Sequence, residues 1–378
     1  MKKILIVFGT RPEAIKMAPL VKEFKKHQTL FNTKVCVTAQ HREMLDQVLD
    51  FFDISSDYDL NLMKPRQNLY GLTADIITNM KSVLEDFQPE YVFVHGDTTT
   101  TMAGSIAAFY SGAKVCHIEA GLRTYNKLSP FPEEINRQIT GRVCDYHFAP
   151  TKTSKNNLLK ENINEQSICV TGNTVIDALL DSLEVVTQKP SALIRKLSQN
   201  FGNKEMILVT GHRRENHGKG FIQICKALKE IALDDPDRLI VYPVHLNPKV
   251  QEPVKRILKD ITNILLIDPL AYQDFIWMMN RAKIIITDSG GVQEEAPSLG
   301  KPVLVMRDTT ERPEAVEVGT VILVGTDKDL IVKEALGLLN NKKRFETMSK
   351  LHNPYGDGKA CERIVNFIVK LEGKTLTI

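Results

Sequence analysis

Long apolar runs, paired cysteines and an excess of one charge are all missing from this sequence of 378 residues. No apolar stretch approaches the ~18–20 residues that cross a bilayer, which argues against a membrane-spanning helix. Lysine and arginine number 49 and aspartate and glutamate 46, so the net charge is only +3. Such a balance gives no footprint for nucleic acid or an anionic membrane. We therefore expect the functional basic residues to act locally, on a small anionic ligand.

The six cysteines are widely spaced and form no C-x-x-C motif. Several stand inside apolar runs, where free cysteine behaves as a small buried hydrophobe, so we expect reduced thiols in a cytoplasmic protein. No H-E-x-x-H or comparable spacing occurs, and a zinc site is not predicted. The amino terminus only faintly resembles a signal peptide, because Arg11 and Glu13 follow a short apolar run at once. A buried first strand is the prediction there.

Short β-branched runs alternate with helix-length segments along almost the whole chain. Continuous apolar runs in this alternation are typical of parallel strands covered by helices on both faces. Twelve such strands are too many for one small sheet, so the predicted fold class is α/β with two doubly wound, Rossmann-like domains. The predicted strands are 4–8, 34–38, 91–94, 114–118, 146–149, 168–170, 206–209, 239–244, 264–267, 283–287, 303–306 and 321–324.

The boundary between the domains is predicted within 172–205, where turn-forming residues interrupt the pattern. We expect one Rossmann-like domain over 1–172, joined by a C-terminal helix at 361–378, and a second over 173–360. Both halves open with an apolar strand, a glycine turn and an arginine. Ligands of open α/β sheets bind beyond the carboxyl ends of the strands, so we expect the active site in the cleft between the domains.

The segment around Ser289-Gly290-Gly291 has the pattern of a phosphate cradle, because a strand ends there and a helix begins directly afterwards. Two glycines let backbone N–H groups approach a ligand, and a helix start favours an anion. One turn later, Glu295 could accept hydrogen bonds from ribose hydroxyls. A plain tight turn remains an alternative. Neither G-x-x-x-x-G-K-[ST] nor G-x-G-x-x-G is present, which disfavours ATP and dinucleotide cofactors. Asp57-Tyr58-Asp59 resembles a metal-binding D-x-D, but its surroundings read as a surface loop.

Three carboxylates stand where they could handle protons. Asp97 and Glu119 each follow a predicted strand, and Glu133 stands at a proline-primed helix start. Carboxylates that converge on one site repel each other and raise pKa values, which creates proton-transfer groups. The alternative is that Asp97 and Glu119 merely cap helices.

Basic residues stand at other predicted strand ends. His212 lies beside two arginines, so we expect it to resist protonation while still donating a hydrogen bond. Arg11, Lys16 and Arg312 add local positive charge, and arginine suits bidentate contact with phosphate. Together these residues favour a diphosphate site.

In this order, the motifs resemble those of the non-hydrolysing UDP-N-acetylglucosamine 2-epimerases. The resemblance runs from residue 4 to about residue 365. Its segments are FGTRPEAIK (8–16), VHGDT (94–98), HIEAGLR (117–123), TGHRRE (210–215), TDSGG (287–291) and RDTTERPE (307–314). The resemblance implies a GT-B-like pair of domains, the second of them binding UDP. It also implies a cytoplasmic bacterial or archaeal homodimer that interconverts UDP-GlcNAc and UDP-ManNAc, through release and re-addition of UDP, for cell-surface polysaccharides. No cofactor, metal, nucleic acid or membrane partner is implied.

The family's functional positions can be carried onto this sequence. The catalytic group corresponds to Asp97, Glu119, Glu133 and His212. The UDP-sugar contacts correspond to Arg11, Lys16, Phe275, Ser289, Gly290, Gly291, Glu295 and Arg312. Some bacterial relatives hold a second UDP-GlcNAc as an activator, and the matching positions are Gln40, Glu43, Arg66, Arg213 and His245. Glu43 and Leu270 depart from relatives that carry glutamine there, so a side-chain role at Leu270 is not expected.

Three other functions remain open on the sequence alone. A glycosyltransferase of the same two-domain build would use the same nucleotide site, but no acceptor groove is evident. A hydrolysing epimerase would release UDP and free ManNAc. A non-catalytic UDP-sugar sensor would need the cradle and the ribose acid only, and the cluster of acids argues against it.

Overall fold

The structure is a computed structural model that describes residues 1–39, 42–64 and 67–373, without the side chains of residues 42, 43 and 200. The chain divides into two compact units. The first comprises Met1–Ala178 and Tyr355–Ile378, and the second Leu179–Pro354. The chain therefore returns to its first unit after completing the second.

The first unit is built on one parallel sheet of seven strands, in the order β3-β2-β1-β4-β5-β6-β7. The strands are β1 (Lys2–Phe8), β2 (Phe31–Val37), β3 (Tyr58–Asp59), β4 (Tyr91–His95), β5 (Lys114–Ile118), β6 (Tyr146–Ala149) and β7 (Ile168–Val170). The helices are α1 (Arg11–Lys26), α2 (Arg42–Phe51), α3 (Leu69–Phe87), α4 (Thr99–Tyr110), α5 (Glu133–Val143), α6 (Lys152–Lys160) and α7 (Thr174–Gln188), the last of which runs past the boundary.

The second unit has a parallel sheet of six strands, in the order β10-β9-β8-β11-β12-β13. The strands are β8 (Met206–Thr210), β9 (Leu239–Pro243), β10 (Ile264–Ile267), β11 (Ile284–Thr287), β12 (Val303–Val305) and β13 (Val321–Leu323). The helices are α8 (Ala192–Phe201), α9 (Lys219–Asp234), α10 (Pro248–Leu258), α11 (Tyr272–Arg281), α12 (Gly290–Glu295), α13 (Pro313–Val318), α14 (Lys328–Leu339) and α15 (Lys342–Ser349). A last helix, α16 (Ala360–Leu371), belongs to the first unit.

The expected pair of Rossmann-like parallel sheets is confirmed, and all twelve predicted strands are present. One prediction about a loop is wrong. Tyr58 and Asp59 form a short edge strand, paired in parallel with Cys36 and Val37, where a surface loop was expected. Asp57 accepts a hydrogen bond from the backbone N–H of Val35 at 2.8 Å, so its carboxylate fastens this strand to its neighbour. The D-x-D spacing therefore reflects sheet pairing.

The apolar runs form strands because both faces of each sheet are covered. In β1 the residues from Ile4 to Phe8 are fully buried, and β8 and β11 are buried in the same way. The six cysteines are free, and Cys36, Cys116, Cys225 and Cys361 are buried. Burial agrees with the prediction for cysteines inside apolar runs. Within the described ranges, no helix is both long and apolar enough to span a bilayer.

Asp177 on α7 ties α16 to the first unit. Its carboxylate accepts hydrogen bonds from the backbone N–H groups of Ala360 at 3.2 Å and Cys361 at 2.9 Å, at the start of α16. Phe367 on the same helix packs edge-on against Tyr146 and Phe148. These contacts complete the cover of the first sheet.

Candidate active site

The first unit gathers its chemistry at the carboxyl edge of its sheet. Because β1, β4 and β5 are neighbours and parallel, the residues that follow them lie along one edge. Asp97 is the second residue after β4, and Glu119 is the first after β5. A Cβ built on Gly96 would lie 3.6 Å from Oε1 of Glu119, so the two loops are in contact. The convergence of these carboxylates with Glu133 on one ligand stays a prediction.

Glu119 has a strained backbone, and its carboxylate is held by two neighbouring side chains. Its φ of 63° lies in the left-handed region that side chains rarely adopt. The ammonium group of Lys16 pairs with Oε2, and Nδ2 of Asn173 donates to the same oxygen at 2.8 Å. Burial alone would raise the pKa of Glu119, but the charge of Lys16 and these hydrogen bonds hold it below its usual range. Glu119 is therefore ionised near neutral pH.

This result corrects the expectation that converging carboxylates raise one another's pKa values. The expectation is wrong for Glu119 because a cation of the same unit neutralises it. Asp97 has a cation of its own: Arg137 on α5 donates to Oδ2 from Nε at 2.9 Å and from Nη2 at 2.7 Å. Each carboxylate is therefore paired with a cation of its own, Glu119 with Lys16 and Asp97 with Arg137.

The capping alternative for Asp97 and Glu119 is also excluded. The N-cap of α4 is Thr98, whose hydroxyl accepts from the backbone N–H of Thr101, and Asp97 does not take that role. Glu119 is followed by a turn, and the next helix begins only at Glu133. Among the described residues, neither carboxylate accepts a hydrogen bond from a backbone N–H group in the first turn of a helix.

The two adjacent glutamates of α5 have different surroundings. Glu134 is fully buried and accepts hydrogen bonds from the backbone N–H groups of Thr124 at 3.0 Å and Tyr125 at 3.1 Å. Its role is to fold the preceding loop. Glu133 is partly exposed, and within the described residues no side chain or N–H group bonds to it. Of the pair, Glu133 is the carboxylate available to a ligand.

Arg11 and Lys16 both lie on α1, but among the described residues only Lys16 is paired with another side chain. Arg11 is exposed in the first turn and has no bonding partner among the described residues, whereas Lys16 is committed to Glu119. The helix start itself is fixed by the buried carboxylate of Glu13. That group accepts from the backbone N–H of Thr10 at 2.8 Å and from the hydroxyl of Thr98 at 2.6 Å, so it joins the loops after β1 and β4.

The turn predicted to be a cradle, Ser289-Gly290-Gly291, lies after β11 and at the start of α12 in the second unit. Ser289 precedes α12, and its backbone N–H donates to the hydroxyl of Thr287 at 2.9 Å, which shapes the turn after β11. A Cβ on Gly290 would lie 2.7 Å from the guanidinium of Arg312, so that group lies directly over the glycine. Arg312 is held there by Glu294, which accepts from Nε at 2.8 Å. A Cβ on Gly291 would lie 3.7 Å from Glu295.

Phe275 lies one turn into α11, partly buried. At the start of that helix, burial and the nearby charge of Glu295 both raise the pKa of Tyr272. The proximity of Glu295 to this helix start brings α11 to the cradle. The structure therefore groups Phe275, Ser289, Gly290, Gly291, Glu295 and Arg312 in one region of the second unit.

His212 lies in the loop after β8, which is next to β11 in the sheet. Its ring stacks on that of His245, with centroids 5.4 Å apart and planes inclined by 16°. Burial lowers the pKa of His212, and the charges of His245 and Arg213 lower it further, against the opposing effect of Asp288. The predicted resistance to protonation is confirmed, with burial rather than the arginines as its main cause.

The predicted activator positions are only partly visible. Gln40 and Arg66 lie outside the described residues, as does the side chain of Glu43. Arg213 and His245 both adjoin His212: Arg213 follows it in the loop, and His245 stacks on its ring. These two residues therefore contact a position predicted to be catalytic.

Several functional candidates were missed from the sequence. Asn136, Arg137 and Asn173 fix the two acids, and Asp288 fixes the loop of His212. The helical spacing of Asn136 and Arg137, three and four residues after Glu133, was a usable signal, since such residues share a helix face. Among the residues that the structure describes, no group of three or more His, Cys, Asp or Glu side chains could hold a metal ion.

Comparison with known proteins identifies the family of this chain. A family model described as UDP-N-acetylglucosamine 2-epimerase matches residues 22–369. The UDP-N-acetylglucosamine 2-epimerase of Campylobacter jejuni is 58% identical over 376 residues, which cover 98% of each chain. That of Escherichia coli K12 is 59% identical over 367 residues, 96% of this chain and 97% of the other.

A solved structure gives the same answer. The crystal structure of UDP-GlcNAc 2-epimerase from Neisseria meningitidis, bound to UDP-GlcNAc, is similar with a TM-score of 0.86 and 53% identity. The match covers 97% of this chain and 100% of that one. With the family model spanning both parallel-sheet units, the chain belongs to the UDP-N-acetylglucosamine 2-epimerase family.

Proposed function

We propose that the enzyme interconverts UDP-GlcNAc and UDP-ManNAc without hydrolysing either, by eliminating UDP and adding it back. In the first step the C1–O bond breaks and its electron pair leaves with the diphosphate. The C2 proton passes to a base, and 2-acetamidoglucal remains. In the second step a diphosphate oxygen bonds to C1 again while a proton reaches C2 from the opposite face. The cycle consumes no water and requires neither NAD nor a metal ion.

The observation that carries the proposal is the ionised carboxylate of Glu119, held by Lys16 and Asn173 beside the loop of Asp97. The C2 proton is not next to a carbonyl and is only weakly acidic, so a fixed base has to act as the leaving group departs. We assign Asp97, Glu119 and Glu133 to proton transfer and electrostatics around the sugar. Glu133, which is free of partners within the described residues, suits a group that exchanges a proton with a ligand.

The remaining residues are assigned to the nucleotide. The guanidinium of Arg312 over Gly290 supplies positive charge for a diphosphate, where charge builds up as UDP leaves. Glu295 is assigned to the ribose hydroxyls and Phe275 to the uracil ring, with Ser289 and Gly291 completing the cradle. In addition, Arg11 is assigned to the diphosphate, Lys16 to the sugar beside its partner Glu119, and His212 to the departing diphosphate.

The test is incubation with UDP-GlcNAc in D₂O, followed by NMR of the products. The proposal predicts UDP-ManNAc that carries deuterium at C2, with little free UDP. A hydrolysing epimerase would give free ManNAc and UDP. A glycosyltransferase without its acceptor, or a sensor, would leave the substrate unlabelled. Failure of solvent deuterium to reach C2 during turnover would refute the mechanism.

The assignment of the acids is tested by Asp97→Asn, Glu119→Gln and Glu133→Gln. Each should slow turnover by about 10²-fold or more, the usual contribution of a proton-transfer group. Glu165→Gln is the matched control, because Glu165 is an exposed carboxylate paired with Lys155 at 2.7 Å on the surface of the first unit. Normal turnover by any of the three variants would remove that acid from the mechanism.

Activation by a second UDP-GlcNAc is proposed as well. It is supported by the stacking of His245 on His212 and by the adjacency of Arg213, since both join the activator positions to a catalytic one. Initial rates with UDP-ManNAc alone should be low and should rise when traces of UDP-GlcNAc are added. Normal rates that UDP-GlcNAc does not change would exclude activation.

Three further expectations concern the cellular location, the assembly and the use of the product. We assign the enzyme to the cytoplasm, which its six free thiols support. We also expect a homodimer, to be tested by sedimentation equilibrium, where a monomer at micromolar concentration would refute it. The product is assigned to cell-surface polysaccharide synthesis, which a strain lacking the gene would test through loss of a ManNAc-containing polymer.

A further inference from the structure

Asp288 is a buried carboxylate that the sequence did not single out. It is the first residue after β11, and its side chain is wholly inaccessible to solvent. One oxygen, Oδ2, accepts from the backbone N–H groups of His212 at 2.8 Å and Arg213 at 2.9 Å. The amide of Asn216 reaches the same oxygen at 3.4 Å. Asp288 therefore sets the path of the loop that carries His212.

The other oxygen of Asp288 is not satisfied. Within the described residues Oδ1 is buried and accepts no hydrogen bond. A buried acceptor without a donor costs about 1–3 kcal/mol, so such an atom calls for an explanation. The nearest candidate donor is the ring of His212, whose Nδ1 lies 3.5 Å away. A small rotation of that ring would bring the pair within hydrogen-bond range.

We propose that Asp288 is a positioning residue, whose Oδ1 accepts the Nδ1–H of His212 and thereby fixes the tautomer of the ring. A neutral imidazole carries one proton, so a proton on Nδ1 leaves Nε2 as an acceptor. The ring is 45% exposed, and Nε2 makes no hydrogen bond to any residue that the structure describes. It is therefore open to a ligand at the adjoining cradle as a proton acceptor.

The charges around His212 agree with this arrangement. In the part of the chain that the structure describes, the ring is faced by Asp288 after β11, by His245 stacked on it, and by Arg213 beside it in the loop. His245 and Arg213 disfavour a second proton on the ring, whereas Asp288 favours it. A ring held neutral in the free protein, with a carboxylate behind Nδ1, can take a proton from solvent at Nε2 when an anion binds, and Nε2–H then donates a hydrogen bond to that anion.

The inference rests on the proposed role of His212 and refines it. A departing diphosphate is the anion that would favour uptake of a solvent proton at Nε2, after which Nε2–H would donate a hydrogen bond to it. No bond is made or broken by Asp288, which acts only through the ring. The proposed role of His212 requires an N–H group that donates to the diphosphate. That donor forms at Nε2 when the ligand binds and is not present in the free protein.

The primary test needs no substrate and uses a variant only to assign the signals. In protein labelled with ¹⁵N-histidine at pH 8, two-bond ¹H–¹⁵N correlations report which ring nitrogen carries the proton, and His212→Gln identifies the signals. We expect His212 to be protonated at Nδ1. A ring protonated at Nε2 would overturn the proposal, whatever the outcome of the deuterium experiment, and the two ideas can therefore fail separately.

Two variants distinguish an effect on the tautomer of His212 from an effect on the loop that carries it. Asp288→Asn can donate to Nδ1 and should move the proton to Nε2, lowering kcat by about 10²-fold with little change in KM. Asn216→Ala is the matched control, because it removes a contact to the same carboxylate and to the carbonyl of Met306 without altering the charge. It should keep the Nδ1–H tautomer. An unchanged tautomer in Asp288→Asn would refute the proposal.

Discussion

Replacing Gly290 by alanine tests the arrangement of the cradle with one methyl group. The new Cβ would lie 2.7 Å from Cζ and from Nη1 of Arg312, whereas ordinary carbon contacts begin at 3.4 Å. The guanidinium has to withdraw, since it is the far end of a flexible side chain and the helix backbone is not. The guanidinium can move towards Glu294, which already accepts a hydrogen bond from its Nε at 2.8 Å.

The expected effect falls on nucleotide affinity and not on folding. A charge-assisted hydrogen bond contributes about 1.5–3 kcal/mol, so displacing Arg312 from a diphosphate should weaken UDP binding by about 10- to 100-fold. Isothermal titration calorimetry with UDP measures this directly. Circular dichroism and the thermal midpoint should stay close to wild type, because alanine is favoured over glycine within a helix.

A second glycine offers a matched control. Gly337 on α14 also lies against an arginine, because a Cβ there would meet Nη1 of Arg344. Gly337→Ala therefore moves a guanidinium in the same manner, on a helix that is not part of the cradle, and UDP affinity should not change. Wild-type affinity in a folded Gly290→Ala variant would refute the placement of Arg312 at the diphosphate.

Three further predictions concern other contacts. Arg137→Lys should lower kcat on the order of tenfold, because a lysine cannot reproduce the paired hydrogen bonds to Asp97 at 2.7 and 2.9 Å. Steady-state kinetics measure this effect, and an unchanged kcat would contradict the prediction. Asp177→Ala should cost about 1–2 kcal/mol in urea unfolding, because it removes the cap of α16, whereas Asp177→Asn, which keeps one acceptor, should cost less. Burial lowers the pKa of His95 and His147 from 6.5 to about 4, so the folded state favours their neutral form. Their contribution is present above pH 6.5 and is lost as the pH falls from 6.5 towards 4; a urea midpoint equal at pH 7.5 and pH 5 would contradict this.

The strands were predictable because burial on both faces of a parallel sheet leaves an unbroken apolar run in the sequence. Every strand with such a run was found. The strand that was missed, Tyr58–Asp59, has two residues, too few to show any periodicity. It exists because β2 offers an open edge and Asp57 fastens the chain to it. That pairing is tertiary, and no local pattern encodes it.

The candidate site was predictable as a set of positions but not as a set of contacts. Strand ends and glycine turns mark where Asp97, Glu119 and His212 stand. What each carboxylate touches depends on residues far away in the chain: Lys16 is 103 residues from Glu119, and Arg137 is 40 residues from Asp97. The ionisation of Glu119 follows from its contact with Lys16, and the expectation of a raised pKa failed at Glu119 for this reason.

The return of α16 to the first unit has a consequence for synthesis on the ribosome. Its residues Ile364, Val365 and Ile368 are fully buried, and the helix packs beside α1. Residues 179–354 emerge before α16 does, so the second unit can finish folding while the first still lacks part of its cover. The half of the protein that is translated first is thus completed last, and nascent chains stalled before residue 360 should expose the apolar side of the first sheet to chaperones.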